Sequence, residues 1–402
     1  MSKKKYSPSL LVYAYILVII SCSNRENVSI REIEDGQKLI SIDASWFGIE
    51  DDFKGRFEVD YIPLETTEKA LIGVINDLKV IGDRVFLFDR DVAKALFIYN
   101  ANGMYINKIT ATGMGPNEIN QLRDFTINRE SREIIVNDLS LKRIGRFDFD
   151  GNLISVERNE LWFTGMEWLY GNTYLYYLSH LSVDENRGKF GPLVVLGDIN
   201  GKVESEYFKL DNRPSYLTIV EHFGVSNTEE EILLTKKFDQ NIYSFNKEGE
   251  LISKLKIDFG SLNIEKDYRE LDVKNFWNYE NENAFAQVMN AYSTNSHYAV
   301  TYTNPVIAPG LQVHLQSILA KDGSFNYLYN ANVIPDKEGV MLPSIMSSDT
   351  EFFYGFYEAE EFLSANNSHN NIIAKQFFGK ENLTIGDSDN PILVRIKVKD
   401  EK

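Results

Sequence analysis

A four-residue turn that returns every 48 to 50 residues constrains this chain more than any other feature. Asn100-Ala101-Asn102-Gly103, Asp148-Phe149-Asp150-Gly151, Asp198-Ile199-Asn200-Gly201 and Asn246-Lys247-Glu248-Gly249 each stand between a pair of alternating apolar runs, and a fifth copy stands at Ala320-Lys321-Asp322-Gly323. Glycine supplies the positive φ that a tight hairpin demands. Each turn is therefore expected to join the last two strands of a unit. Upstream of the turns lie second strands at 85–89, 134–138, 173–177 and 231–235, and before them inner strands such as 75–81 and 123–127. Four short strands in a period near 48 residues make a propeller blade.

Segments 297–302, 312–320 and 324–329 give a fifth blade, and 352–357 with 392–398 give two strands of a sixth that lacks its outer strand. The early segment 55–64 can supply it, which would close the ring and remove the open edges of a sheet. The expected fold is all-β: a six-bladed β-propeller of four-stranded antiparallel blades, its last blade closed by an N-terminal strand. Two stretches break the rhythm, 264–292 and 358–378, and both are expected to be helical insertions. In the first, Phe276, Trp277, Phe285, Val288 and Met289 fall largely at three- and four-residue spacings or their sums.

The composition agrees. Of 402 residues, 43% are hydrophobic and 13% aromatic, enough for a large β-rich core. A formal charge of −17 argues against a sequence-independent grip on nucleic acid, which needs clustered Lys and Arg. One cysteine excludes an intrachain disulfide framework and a thiolate metal cluster.

That cysteine has an address. Lys3-Lys4-Lys5, an apolar run over 10–20 and Ser21-Cys22 form the three regions of an export signal, and the run is short of the ~20 apolar residues a membrane-spanning helix needs. Ile19-Ile20-Ser21-Cys22 resembles the bacterial lipobox, in which a peptidase cuts before a lipidated cysteine. The expected organisation is a signal peptide over 1–21, lipidation at Cys22, a flexible tether over 22–39 and a propeller domain over 40–402. This places the protein in the cell envelope, most naturally at the outer membrane, facing the periplasm or the exterior.

Three further motifs carry a family resemblance: Tyr61-Ile62-Pro63-Leu64-Glu65-Thr66-Thr67 with Leu71-Ile72-Gly73, then Gly113-Met114-Gly115-Pro116-Asn117-Glu118-Ile119, then Asp389-Asn390-Pro391-Ile392-Leu393. In this order they resemble the six-bladed propeller lipoproteins of gut-dwelling Gram-negative bacteria, related in fold to NHL-repeat and TolB-like propellers. The resemblance covers residues 40–400 and implies a fold, with no catalytic residue to carry over. Asn117 departs from it, standing where that family loop commonly has a further glycine.

Inner strands line a propeller's channel, so residues at their starts are candidate ligands. Counting back from the hairpin glycines selects Asp77, Asp124 and His222, with Glu167 admitted once the longer loop at 181–189 is allowed for, and with Arg123 and Glu221 beside them. Oxygen ligands and an imidazole could hold Ca²⁺ or Zn²⁺, or the same groups could bind ordered water and cap inter-blade turns. Gly113-Met114-Gly115-Pro116 is expected to be an inter-blade turn and not a phosphate loop, because Pro116 has no N–H to offer an anion. No nucleophile elbow or His-Glu-x-x-His motif occurs. Trp162, Trp168, Tyr170 and Trp277 could stack on sugars, though such aromatics belong more often to a core. The leading expectation is a non-enzymatic, membrane-anchored module, without a resident cofactor, that binds a peptide, protein partner or glycan. The alternative is a metal-dependent lyase or hydrolase at the channel mouth, drawing on Asp77, Asp124, Glu167 and His222.

Overall fold

A computed structural model describes residues 28–32, 37–42, 56–178, 183–184, 189–209, 223–228, 232–236, 239–246, 249–264, 285–308, 311–323, 326–330, 342–368 and 385–399. Six sheets stand around a ring, each with four antiparallel blade strands. Blade 1 runs Asp77–Ile81, Arg84–Asp89, Ala95–Asn100 and Tyr105–Thr110; blade 2 runs Asp124–Asn128, Glu133–Asp138, Arg143–Asp148 and Leu153–Arg158. Blade 3 is Gly165–Tyr170, Thr173–Tyr177, Pro192–Gly197 and Val203–Lys209, and blade 4 is Phe223–Asn227, Ile232–Lys236, Asn241–Phe245 and Leu251–Asp258. Blade 5 comprises Gln287–Ser293, His297–Ala308, Leu311–Ala320 and Asn326–Asn330, and blade 6 comprises Ser347–Ser348, Phe353–Tyr357, Ile392–Val398 and the early strand Phe57–Pro63. That strand pairs antiparallel with Ile392–Val398, from Phe57 against Val398 to Pro63 against Ile392, so the ring closes as the sequence predicts.

The five hairpin glycines, Gly103, Gly151, Gly201, Gly249 and Gly323, all have φ between +80° and +85°. At four of them a second demand is added, because each presses on what precedes it in the ring. A Cβ on Gly103 would stand 2.3 Å from the Pro63 carbonyl oxygen, and one on Gly151 would stand 2.9 Å from Ile98 of blade 1. The turn that fixes the period is thus also an inter-blade contact.

The aromatic excess fills the wedges between blades. Phe86, Phe88 and Ile98 of blade 1 pack with Phe125, Ile127 and Val136 of blade 2 in one buried cluster, where Phe88 and Phe125 meet edge to face at 5.7 Å. Such pairing adds to simple burial.

Two expectations need correction, at 264–292 and 22–39, whereas the helix expected within 358–378 is present. Within 264–292, Gln287–Ser293 is no helix but the inner strand of blade 5. A bulge between Val288 and Asn290 breaks its alternation, so Val288 and Ala291 are both buried three residues apart and imitate helical spacing. Gly260–Leu262 makes one 3₁₀ turn, and 265–284 lie outside the described residues. Within 358–378 the helix is present over Ala359–Ser368, with Glu360 and Glu361 in its first turn where the helix dipole favours acids; 369–378 lie outside the described residues. Finally, the stretch 22–39 expected as a tether contains the strand Val28–Glu32 and the first residues of Lys38–Ile42. Lys38–Ile42 lies parallel to the outer strand of blade 4, and Val28–Glu32 pairs antiparallel outside it, giving that sheet six strands.

Candidate functional site

Period-two alternation sends residues one, three and five of an inner strand into the channel. The first residues of the inner strands of blades 1, 2 and 3 are Asp77, Asp124 and Gly165, and the third residues are Lys79, Thr126 and Glu167. Glu167 therefore lies one layer below the aspartates and is not their equivalent. Gly165 takes the equivalent place, where a Cβ would meet Asp124 Oδ2 at 3.4 Å.

The second layer is a closed polar network. Lys79 Nζ donates to Glu167 Oε2 at 2.7 Å, while Glu167 Oε1 accepts from Thr126 Oγ1 at 3.0 Å and from Asn227 Nδ2 at 3.2 Å. The Thr126 hydroxyl also accepts the Trp168 N–H at 2.9 Å. Lys79 Nζ further lies 5.5 Å from the centroid of the Phe125 ring. The Glu167 side chain is 6% exposed and fully engaged, so it is a fixture of the channel wall.

The first layer is open. Asp77 has 35% of its side chain exposed, accepts the Leu78 N–H at 2.8 Å and keeps Oδ2 3.8 Å from Lys79 Nζ. Asp124 Oδ2 accepts the Met166 N–H at 2.7 Å. Burial, aided by the Asp77 charge, pushes the Asp124 carboxyl up to about 7 against the pull of the Met166 N–H and Lys79. Partial burial at the channel mouth likewise raises Asp77, with Lys79 opposing and Glu167 adding.

These residues bound a cavity of about 580 Å³ at the channel mouth. Asp77, Arg123, Asp124 and Glu167 all line it, together with Lys79, Arg90, Phe88, Tyr177, Tyr292 and Met346. Beneath it, between Ile81, Arg129, Asn227 and Ser348, is a 30 Å³ void, room for about one water. Of the residues selected from sequence, His222 and Glu221 lie outside the described residues, as does Cys22. Lys79 is not in that selection, although the alternate positions of Asp77-Leu78-Lys79 point to it. Its ammonium sits where the metal reading would place a cation. Among the described residues no group of three or more His, Cys, Asp and Glu side chains is placed to hold a metal ion.

The Gly113-to-Ile119 motif is an inter-blade turn. Its own groups consume its donors: the Gly115 N–H goes to Glu118 Oε2 at 2.6 Å, and the Thr112 N–H to the Ile119 carbonyl at 2.7 Å. The aromatics do not assemble into one platform, since Trp168 is buried whereas Trp162 is exposed under Lys142; Trp277 lies outside the described residues.

A family model described as Domain of unknown function (DUF4934) matches residues 57–397. The sequence matches no curated protein. Among solved structures, the chain is similar to a protein of Bacteroides fragilis provisionally named as exported, with TM-score 0.68 and 14% identity over 90% of this chain and 100% of that one. A member of the DUF4221 family from Bacteroides vulgatus aligns with TM-score 0.48 and 12% identity over 86% of this chain and 99% of that one. At 14% identity the likeness to the Bacteroides fragilis protein is one of fold.

Proposed function

The chain belongs to the DUF4934 family, a domain of unknown function, and we propose that it is an extracytoplasmic, lipid-anchored binding module that takes a peptide, a protein segment or a glycan into its channel mouth. The observation that carries this reading is the cavity of about 580 Å³. Its volume falls in the range of small-molecule sites, about 300–1,000 Å³, and charged and polar groups share its wall about equally with apolar and aromatic ones. The signal over 1–21 and the lipobox at Cys22 support export and anchoring, and the provisional name of the Bacteroides fragilis neighbour points the same way. The metal-dependent lyase or hydrolase is the weaker reading, because Lys79 already supplies a cation to Glu167 at 2.7 Å.

Gly165 offers a direct test, since a Cβ there meets only ordinary contacts with Asp124 and Tyr177 and the residue lines the cavity. A thermal-shift screen of short peptides and oligosaccharides is expected to find a class that raises the midpoint of the wild type and leaves Gly165→Trp unmoved, as linkage requires for a ligand bound only by the open site. No class shifting the wild type, or equal shifts in both proteins, would overturn the proposal.

A further inference from the structure

We infer that the channel mouth is built for a bipolar ligand, one carrying a cationic amine at one end and a carboxylate at the other, as a short peptide with free termini does. This deepens the reading above and rests on the cavity being the ligand site.

The cavity has two poles that do not neutralise each other. At one, Asp77 and Asp124 begin neighbouring inner strands, and each has one oxygen satisfied by a backbone N–H, from Leu78 and Met166. Asp124 Oδ1 has no hydrogen-bond partner among the described residues, and Asp77 Oδ2 stands 3.8 Å from Lys79 Nζ, too far for a strong hydrogen bond. Lys79 is committed to Glu167 at 2.7 Å. An arriving ammonium would thus find two carboxylates with oxygens to spare.

At the other pole stands Arg123. Its Nε is buried with no hydrogen-bond partner, and no ion pair of its guanidinium occurs among the described residues. Asp91, in the loop that follows the second strand of blade 1, lies near enough for the Arg123 charge to help hold its carboxyl down. Arg90, the other arginine lining the cavity, is held by that same Asp91 at 3.3 Å. A buried guanidinium N–H without an acceptor is costly, and its planar fork fits a carboxylate in two parallel hydrogen bonds. No ion pair joins Arg123 to Asp77 or Asp124 among the described residues, so the charges at the two poles are not spent on each other. Phe88, Tyr177 and Tyr292 wall the space with aromatic surface suited to the body of a peptide.

The test is calorimetric titration of the full-length protein with pooled di- and tripeptides bearing free termini, with the same pools N-acetylated or C-amidated, and with neutral oligosaccharides. Binding of the free peptides is expected, weakened about tenfold or more by either blocking group, for one lost charge-assisted contact. Two variants then separate the poles: Arg123→Gln is expected to lose the distinction between free and amidated peptides, and Asp124→Asn that between free and acetylated ones. If peptides bind equally well when blocked, or neither variant changes the discrimination, the bipolar assignment is overturned. If neutral oligosaccharides bind and Gly165→Trp abolishes it while free peptides do not bind, the site stands and the bipolar assignment falls. If nothing binds, both fall.

Discussion

Asp124 shows how one residue ties the site to the stability of the whole protein. Its carboxyl is pushed from 3.8 to about 7, first by burial and then by the Asp77 charge. A carboxyl raised in the folded state ionises more readily when the chain unfolds, so the folded state loses stability as pH climbs through that window. Asp124→Asn keeps an oxygen for the Met166 N–H and removes the titration. The melting midpoint of Asp124→Asn relative to wild type is therefore expected to rise between about pH 4 and pH 7 and to level off above it; a difference independent of pH would refute this. The residue itself was legible in the sequence, because Asp77 and Asp124 fall at nearly one distance from their hairpin glycines. Lys79 was legible only through the alternation of Asp77-Leu78-Lys79, and the depth of Glu167 was not, since counting one residue per strand selects a single layer of a channel that alternation builds in several. The pairing of Lys79 with Glu167 crosses from blade 1 to blade 3 and has no local sequence signal.

Among the elements, the closing strand is held by more than its ladder. Asn390, buried just before Ile392–Val398, donates through Nδ2 to the carbonyls of Glu65 and Ala70 and to the Tyr99 hydroxyl, and accepts the Ile72 N–H on Oδ1 at 3.0 Å. Its own N–H goes to Thr66 Oγ1 at 2.9 Å. Two of the three motifs that carry the family resemblance thus meet each other across the seam, which explains why they predict the fold and say nothing of a ligand. Asn390→Leu would strand several buried polar groups and is expected to cost about 3 kcal/mol or more. Arg395→Ala breaks an ion pair to Asp60 on the exposed face of the same seam and is expected to cost under about 1 kcal/mol. Urea unfolding of both variants checks the order, and equal losses would mean that Asn390 does not secure the seam. The blades were readable because the hairpin glycines keep time. The inner strand of blade 5 was not, because a bulge at Val288 to Asn290 makes a strand look helical in its apolar spacing.

At the scale of the whole molecule, the ring explains much of the aromatic content: buried rings such as Phe88 and Phe125 fill the wedge between blades, and the closing strand ties the early chain to its last blade. Anchoring belongs to this scale as well. Cys22→Ser is expected to move the protein from the membrane fraction to the soluble fraction and to abolish incorporation of labelled palmitate; continued membrane recovery of the variant would remove the lipid anchor from the proposal. The strand Val28–Glu32 at the outer edge of blade 4 gives that anchor a geometry. Six residue steps separate Cys22 from Val28, a leash of at most about 21 Å when drawn straight. The proposed mooring would then be short and eccentric, fastened to the rim of the ring and not to its axis. In the proposed anchored form the bilayer would stay within reach of blade 4 however the ring swings, and blade 1, diametrically across with Asp77 and Lys79 on its channel wall, would be the outboard side.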